Sequence, residues 1–279
     1  MKSLAGKVAV VTGASRGGGR GIAQVLGEFG ATVYVTGRTS RTSSQPSRRE
    51  TIEDAADDVS ARGGMGIPVR CDHTDDQQVQ ALFDRIRREQ GRLDLLVNNV
   101  WGGEEGYQSG SFENGVKFSS PFWEQSLERW EKQVTAGVRA HLIASMLAAP
   151  IMISQGAGLI INTTFQDRGL YLGNVIFDLA LNATTRLAHG ISHDLKPFRV
   201  AAIALSPGYM RTERVMESIR EEDLSQTESV EYIGRAVAAL LADPNVIAKT
   251  GQLLMVGDLA LEYGFTDVDG RTIAPLKTR

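Results

Sequence analysis

The 279-residue sequence is short of cysteine, of net charge and of long apolar runs, and each shortage excludes a class of protein. Its single cysteine, Cys71, rules out an internal disulfide framework and leaves no thiol cluster for zinc. A net charge of −3 offers no basic surface to a nucleic acid or an anionic membrane. No apolar run reaches the roughly 18 residues of a membrane span, and residues 1–7 lead straight into a strand, unlike a signal peptide. We therefore expect a cytoplasmic protein with no metal, nucleic-acid partner or membrane partner.

One glycine-rich stretch, residues 8–23, carries an apolar strand straight into a turn that opens a helix. Its spacing is Gly-x3-Gly-x-Gly, at Gly13, Gly17 and Gly19. Gly13 permits the tight turn, Gly17 lets the backbone approach a pyrophosphate, and Gly19 allows close packing of the helix on the strand. The free N–H groups of the helix start face the anion, so the stretch predicts a phosphate-binding loop. The same loop contains Ser15, Arg16 and Gly18.

The residues after the second predicted strand, 31–36, favour one nicotinamide dinucleotide over the other. An acidic residue at this point binds the ribose 2′-hydroxyl of NAD, and none occurs between Thr36 and Arg49. Basic and hydroxyl residues stand there instead: Arg38, Thr39, Ser40 and Arg41. The segment therefore favours NADP(H), with Arg38 and Arg16 as partners of the 2′-phosphate. In the alternative interpretation, Arg38 is a solvated loop charge.

Strands and helices alternate regularly along the rest of the chain. We predict helices at 50–62, 77–90, 124–154, 176–195 and 230–242, and strands at 66–71, 93–100, 159–163, 200–205 and 252–256. This alternation, with nearly all-apolar strands, predicts an α/β fold, a Rossmann-like doubly wound parallel sheet in a single domain over residues 1–279. An aromatic loop at about 101–130 follows the carboxyl end of a strand, which predicts a substrate loop. We also predict a polar linker at 213–229 and a C-terminal tail at about 258–279.

These motifs together resemble those of the short-chain dehydrogenase/reductase family, from Lys7 to about Gly257. The matching residues are Thr12-Gly13-x3-Gly17-x-Gly19, Asp72 after the third strand, Asn98-Asn99 after the fourth, and Pro207-Gly208 with Thr212 after the sixth. The resemblance implies an NAD(P)-binding domain with a seven-stranded parallel sheet and a small-molecule substrate. It also implies a homodimer or homotetramer built through the long helices that hold Val134 and Arg186. The further cofactor positions that it implies are Asp72, His73, Asn99, Pro207, Gly208, Met210 and Thr212.

The family's catalytic Asn, Ser, Tyr and Lys are largely replaced in this sequence. Aligning the helix at 176–195 from its end places Phe177 at the Tyr position and Leu181 at the Lys position. Thr164 stands at the Ser position, and Gly137 stands at the Asn position. Phe177 has no hydroxyl to donate a proton, a contribution of roughly 10²–10⁴ in rate. Leu181 has no ammonium group to lower the pKa of a tyrosine or to bind the ribose hydroxyls.

Two functions remain open on the sequence. In the first, the protein is an NADP(H)-dependent oxidoreductase of a small carbonyl, enone or alcohol, and a substitute such as Tyr171 or Tyr209 donates the proton. In the second, it is a lyase, isomerase or cyclase, or a pseudoenzyme, with an apolar pocket. The aromatic residues that would line that pocket are Trp101, Tyr107, Phe118, Phe122, Trp123, Phe165, Phe177 and Tyr209.

Several other polar residues near the predicted site have simpler interpretations. His141 lies one turn after Gly137, and we expect it to pack between helices. Asp167 and Glu104 are loop carboxylates that would act as acids only if the fold buried them. His189 and His193 are expected at the surface or in an interface, and no metal is predicted there.

Overall fold

Apolar runs of the sequence form a central sheet of seven parallel strands, because strands buried on both faces need apolar residues at nearly every position. The strands are β1 (Val8–Val11), β2 (Thr32–Gly37), β3 (Met65–Arg70), β4 (Leu95–Asn98), β5 (Gly158–Thr163), β6 (Val200–Ser206) and, after a short pair β7 (Tyr209–Met210) and β8 (Thr227–Glu228), β9 (Leu253–Met255). The sheet order is β3-β2-β1-β4-β5-β6-β9, so the direction of winding reverses between β1 and β4. This computed structural model describes residues 3–42, 49–103, 115–165, 171–217 and 219–275.

Helices cover both faces of the sheet. They are α1 (Gly17–Glu28), α2 (Ile52–Ala61), α3 (Asp76–Gln90), α4 (Leu127–Lys132), α5 (Ala140–Gln155), α6 (Val175–Leu195), α7 (Glu213–Met216), α8 (Val230–Ala242) and α9 (Val256–Tyr263). Leu26 of α1 and Val237 of α8 belong to the core on one face, and Leu82 of α3 and Met152 of α5 belong to the core on the other. The predicted single doubly wound domain is confirmed.

The helix predicted over 124–154 is interrupted. A single turn, Phe122–Glu124, precedes α4, and a π-helical segment, Gln133–Arg139, joins α4 to α5. Gly137 lies in that segment, where a Cβ atom would stand 2.6 Å from the Trp101 ring. The prediction of one continuous α-helix was wrong because apolar periodicity does not reveal such a wider turn, a feature that is frequent at functional sites.

The same helical run, Leu127–Gln155, is long and apolar enough to cross a membrane by length and composition. The expectation that no such stretch occurs was therefore wrong. However, 44% of its apolar window is buried inside the fold, and Ala144, Ala148 and Met152 belong to the core. Packing on the sheet accounts for the buried part of this run, whereas Leu142 and Met146 are exposed.

The predicted linker and tail both carry regular structure. β7 pairs with β8, α7 forms between them, and the predicted tail begins inside α9. Beyond α9, Phe265 and Asp267 are buried. The Asp267 carboxylate accepts hydrogen bonds from the Ser229 N–H, at 2.8 Å, and from the Ser229 hydroxyl. Arg211 Nη2 also lies 3.4 Å from Asp267 Oδ2. The C-terminal segment therefore fastens the loop after β6 to the start of α8.

Candidate functional site

The turn between β1 and α1 is built on glycines that a larger residue could replace only with backbone strain or with displacement of its neighbours. Gly13 and Gly17 have φ angles of +63° and +56°, a region that favours glycine. A Cβ atom on Gly13 would lie 2.9 Å from the Cα of Val100. A Cβ atom on Gly19 would lie 2.5 Å from both the Asn99 Nδ2 and the Gly13 carbonyl oxygen. The turn thus forms a tight cradle at the N-terminus of α1.

Asn99 holds this cradle against the end of β4. Its side-chain amide donates hydrogen bonds to the carbonyl oxygens of Thr12 and Gly13, both at 3.0 Å. Its backbone N–H donates to the Thr12 hydroxyl at 2.9 Å, and the Val100 N–H donates to the same hydroxyl at 3.1 Å. The Asn99 amide therefore positions the glycine loop from within the protein, a role that the sequence motif alone did not reveal.

A groove with a cavity of about 290 Å³ lies over the cradle. Ten of the predicted cofactor positions line it: Gly13, Ser15, Arg16, Gly17, Arg38, Thr39, Asp72, His73, Asn99 and Thr212. Five lie outside its lining: Gly18, Gly19, Pro207, Gly208 and Met210. Met210 nevertheless approaches the glycine loop, because a Cβ atom on Gly18 would stand 3.1 Å from its Cε.

The structure also adds residues to the groove that were not predicted as cofactor positions, although Trp101 was predicted as a wall of an apolar pocket. They include Trp101, Gly102, Ala136, Glu213 and Arg214. Position in the chain offered a signal for two of them, because Trp101 follows the Asn-Asn-Val end of β4 and Glu213 follows Thr212.

Two arginines follow β2 near the groove, and they differ in their contacts. Arg38 is exposed just after β2 and lines the groove. Arg41, three residues on, places its guanidinium 2.6 Å from both Asp54 and Asp57 of α2. Because Arg38 and Arg16 line the groove, they are better placed to meet a ligand phosphate than Arg41, whose guanidinium lies against α2.

Two buried histidines lie at or behind the groove. His73 Nε2 is 2.7 Å from the Thr36 hydroxyl, and His141 Nε2 is 3.0 Å from the Val100 carbonyl oxygen. Burial lowers the pKa of each imidazole to about 4. Both rings are therefore neutral at pH 7, and His141 holds the backbone at the end of β4 rather than carrying a proton to the groove.

The Tyr and Lys positions of the family lie on α6 in apolar surroundings. Phe177 stands in the first turn of α6, where its N–H donates to the Asn174 side chain at 3.0 Å. Its ring makes edge contacts with Trp101, at 6.0 Å between centroids, and with Phe118, at 5.4 Å. Leu181, one turn later, is buried. The structure thus forms an aromatic cluster of Trp101, Phe118 and Phe177 at the residue that we aligned with the family's proton donor.

Thr164 does not present its hydroxyl to this cluster. The hydroxyl donates to the Leu181 carbonyl oxygen at 3.2 Å, and the Thr185 hydroxyl donates to Thr164 at 3.4 Å. Only 5% of Thr164 is exposed. The hydroxyl is therefore engaged by the backbone of α6.

The remaining candidates are exposed or partly buried side chains, or they lie outside the described residues. Tyr171 is 62% exposed and Tyr209 is 45% exposed. Phe122 and Trp123 are also exposed and make an edge contact with each other, at 5.2 Å between centroids. Phe165, after β5, is partly buried. Three predicted positions fall outside the described residues: Glu104, Tyr107 and Asp167.

The histidine pair on α6 lies near the surface. His193 is exposed, and its Nε2 is 3.2 Å from the Nε2 of His189. His189 is partly buried, with its Nδ1 3.1 Å from the Gly251 carbonyl oxygen. Within the described ranges no group of three or more His, Cys, Asp or Glu side chains could hold a metal ion.

A glycine cradle at the winding reversal of a parallel sheet defines a Rossmann-type dinucleotide-binding domain. The family model of short chain dehydrogenases matches residues 7–223 of this chain. Dehydrogenase/reductase SDR family member 1 of Mus musculus is 36% identical over 284 residues, which cover 97% of this chain and 86% of that protein. Oxidoreductase UcpA of Salmonella typhimurium is 26% identical and covers 99% of this chain and 97% of its own.

Solved structures share the fold. A short chain dehydrogenase of Mycobacterium thermoresistibile superposes with a TM-score of 0.80 at 25% identity, over 98% of this chain and 95% of that one. A 7α-hydroxysteroid dehydrogenase, solved with NADH and 7-oxo glycochenodeoxycholic acid, superposes with a TM-score of 0.72 at 23% identity, over 99% and 97% of the two chains. The chain belongs to the short-chain dehydrogenase/reductase family, a family of oxidoreductases that bind nicotinamide cofactors.

Proposed function

We propose that this protein binds NADP(H) in the groove and acts as an oxidoreductase on a small carbonyl, enone or alcohol. The observation that carries the proposal is the glycine cradle at the N-terminus of α1, where Gly13 and Gly17 take positive φ angles and a helix start with free N–H groups attracts an anion. Arg38 and Arg16 line the same groove, and no acidic residue follows β2 before Arg49. We further propose that the protein works in the cytoplasm as a homodimer or homotetramer.

The choice of NADP(H) over NAD(H) rests on Arg38. An acidic residue at this position would bind the ribose 2′-hydroxyl, whereas an arginine accommodates the 2′-phosphate. We expect Arg38→Asp to weaken the binding of NADPH at least tenfold more than that of NADH, as measured by nicotinamide fluorescence. Arg41→Asp is the matched control, because that guanidinium is engaged by Asp54 and Asp57. If Arg38→Asp weakened the binding of NADPH and NADH equally, Arg38 would have no role in choosing between them.

The site departs from the family in how a proton would be supplied. Reduction of a carbonyl consumes one hydride and one proton, and a bound nicotinamide supplies the hydride. Phe177 and Leu181 supply no proton, since neither carries an ionisable group. An enone suits these surroundings better than a simple ketone, because hydride addition gives a delocalised enolate that water can protonate. Tyr171 and Tyr209, which are both exposed, are the substitute donors that we propose.

Replacement of Tyr171 tests whether this residue donates the proton. If Tyr171 is the donor, Tyr171→Phe lowers kcat about a hundredfold or more while NADPH binding stays unchanged. The same measurement on Tyr209→Phe compares the two candidates. An unchanged kcat removes Tyr171 from the mechanism.

The aromatic cluster favours a second function, a non-redox enzyme or a pseudoenzyme that keeps the cofactor site. The Trp101 ring occupies the space beside Gly137, the residue that we aligned with the family's Asn, and the Phe177 ring packs against Trp101. The double variant Phe177→Tyr with Leu181→Lys restores the family pair. If the natural protein oxidises no NADPH across a panel of carbonyls and enones while the double variant does, this second function replaces the first.

A further inference from the structure

The N-terminus of α1 already carries an anion supplied by the protein. The backbone N–H of Gly17, the first residue of α1, donates to the carboxylate of Glu213, at 3.0 Å from Oε2 and 3.3 Å from Oε1. Glu213 is the first residue of α7, and 196 positions separate it from Gly17. Both residues line the groove. The carboxylate thus stands at the helix end where the anion of a dinucleotide is expected.

The local sequence of α1 explains why a distant carboxylate is held there. The capping residue of α1 is Arg16, whose side chain makes no capping hydrogen bond, and the first turn of α1 contains no acidic residue. A helix start with free N–H groups and a nearby cation attracts negative charge. Glu213 meets this requirement from across the groove.

We propose that Glu213 is a resident anion that a dinucleotide must displace, and that it thereby sets the affinity of the groove for NADP(H). This inference rests on the cofactor site proposed above. The Gly17 N–H cannot donate fully to a carboxylate and to a pyrophosphate in the same place, and the two anions repel each other. Binding the dinucleotide therefore includes the cost of moving Glu213 away.

The position of Glu213 gives this displacement a second consequence. Glu213 directly follows Thr212, at the end of the segment that begins with Pro207 and carries Tyr209. Thr212 caps α7, because its hydroxyl accepts a hydrogen bond from the Val215 N–H at 3.3 Å. The contact between Glu213 and Gly17 therefore joins this turn, and the segment that carries Tyr209, to the phosphate site, and displacement of the carboxylate releases that connection.

Equilibrium binding tests the proposal with two ligands. Glu213→Gln removes the charge, and we expect it to tighten NADPH binding about three- to tenfold by fluorescence titration. Adenosine 2′-phosphate, which lacks the pyrophosphate, should bind to the two proteins equally by calorimetry. In the ligand-free state the variant should melt at a lower temperature, because α1 loses its anion. Competition between the carboxylate and the dinucleotide predicts lower stability together with tighter binding. A merely structural contact predicts lower stability without tighter binding.

Glu217→Gln is the matched control, since Glu217 is exposed at the end of the same turn. The control should leave NADPH affinity unchanged, and Glu213→Ala should repeat the gain of Glu213→Gln. Unchanged or weaker NADPH binding by both Glu213 variants overturns the inference while leaving the cofactor site intact. An equal gain of NADPH affinity in Glu217→Gln also overturns the inference, because it would show that any nearby carboxylate repels the dinucleotide. If the natural protein binds neither NADPH nor adenosine 2′-phosphate, the proposed function fails together with the inference.

Discussion

Substitution of two glycines in the same turn should separate folding from ligand binding. Gly13 and Gly17 both have positive φ angles, so an alanine at either position costs about 1–2 kcal/mol of backbone strain. Their surroundings differ. A Cβ atom on Gly13 would stand 2.9 Å from the Cα and 3.2 Å from the N of Val100, whereas a Cβ atom on Gly17 would meet Thr212 Cγ2 at an ordinary 3.6 Å.

The contact with Val100 is a contact with backbone at the end of β4, which cannot move aside alone. Such overpacking adds roughly 1–3 kcal/mol, so Gly13→Ala should lose about 2–5 kcal/mol of the free energy of unfolding. Gly17→Ala should lose about 1–2 kcal/mol. Urea denaturation followed by circular dichroism measures both losses, with an unchanged m-value showing that only stability has changed.

For ligand affinity, the variant with the smaller loss of stability, Gly17→Ala, should show the larger effect. Gly17 is the residue whose backbone approaches the anion, so Gly17→Ala should weaken NADPH binding even though it remains folded. Equal losses of stability in the two variants would refute the steric reasoning. Undiminished NADPH binding by Gly17→Ala would refute the assignment of the anion site.

Three further changes test other parts of the structure. Burial raises the pKa of Glu228 to about 8 from 4.5, so the folded state holds this proton more tightly than the unfolded chain; stability should fall by several kcal/mol as pH rises from about 4.5 to 8. Urea denaturation across that range should show a smaller fall in Glu228→Gln. Gly137→Asn should lower the melting temperature because its side chain meets the Trp101 ring, and Trp101→Ala should restore part of the loss. Thr51→Ala removes the hydroxyl that accepts the Asp54 N–H at the start of α2 and should cost about 1 kcal/mol in urea denaturation.

The sheet and most helices could be predicted because their residues carry the pattern locally. The alternation of apolar strands with amphipathic helices implied the parallel order, and α8 begins and ends at the predicted residues, Val230 and Ala242. The glycine spacing located the cradle for the same reason, since Gly13 and Gly17 take positive φ angles within their own turn.

Features that depend on distant residues could not be found in this way. The Glu213 carboxylate meets Gly17 across 196 positions, and the chain has no short-range signal for that contact. Alignment gave the place of Thr164 in the family but not the direction of its hydroxyl, which the Leu181 carbonyl oxygen determines. The π-helical segment also escaped prediction, because its wider turn accompanies a contact between Gly137 and the Trp101 ring.

The hydrogen bonds of Asp267 have a consequence for the order in which the protein is completed during synthesis. Arg211 and Ser229 meet a carboxylate that is made 56 and 38 residues after them. The cradle at Gly13 is made from the first hundred residues, together with the end of β4. The residues of the phosphate-binding turn are therefore synthesised long before the carboxylate that fixes the loop after β6. The turn that carries Glu213 reaches its final position only after the segment that contains Asp267 has been synthesised and has packed against it.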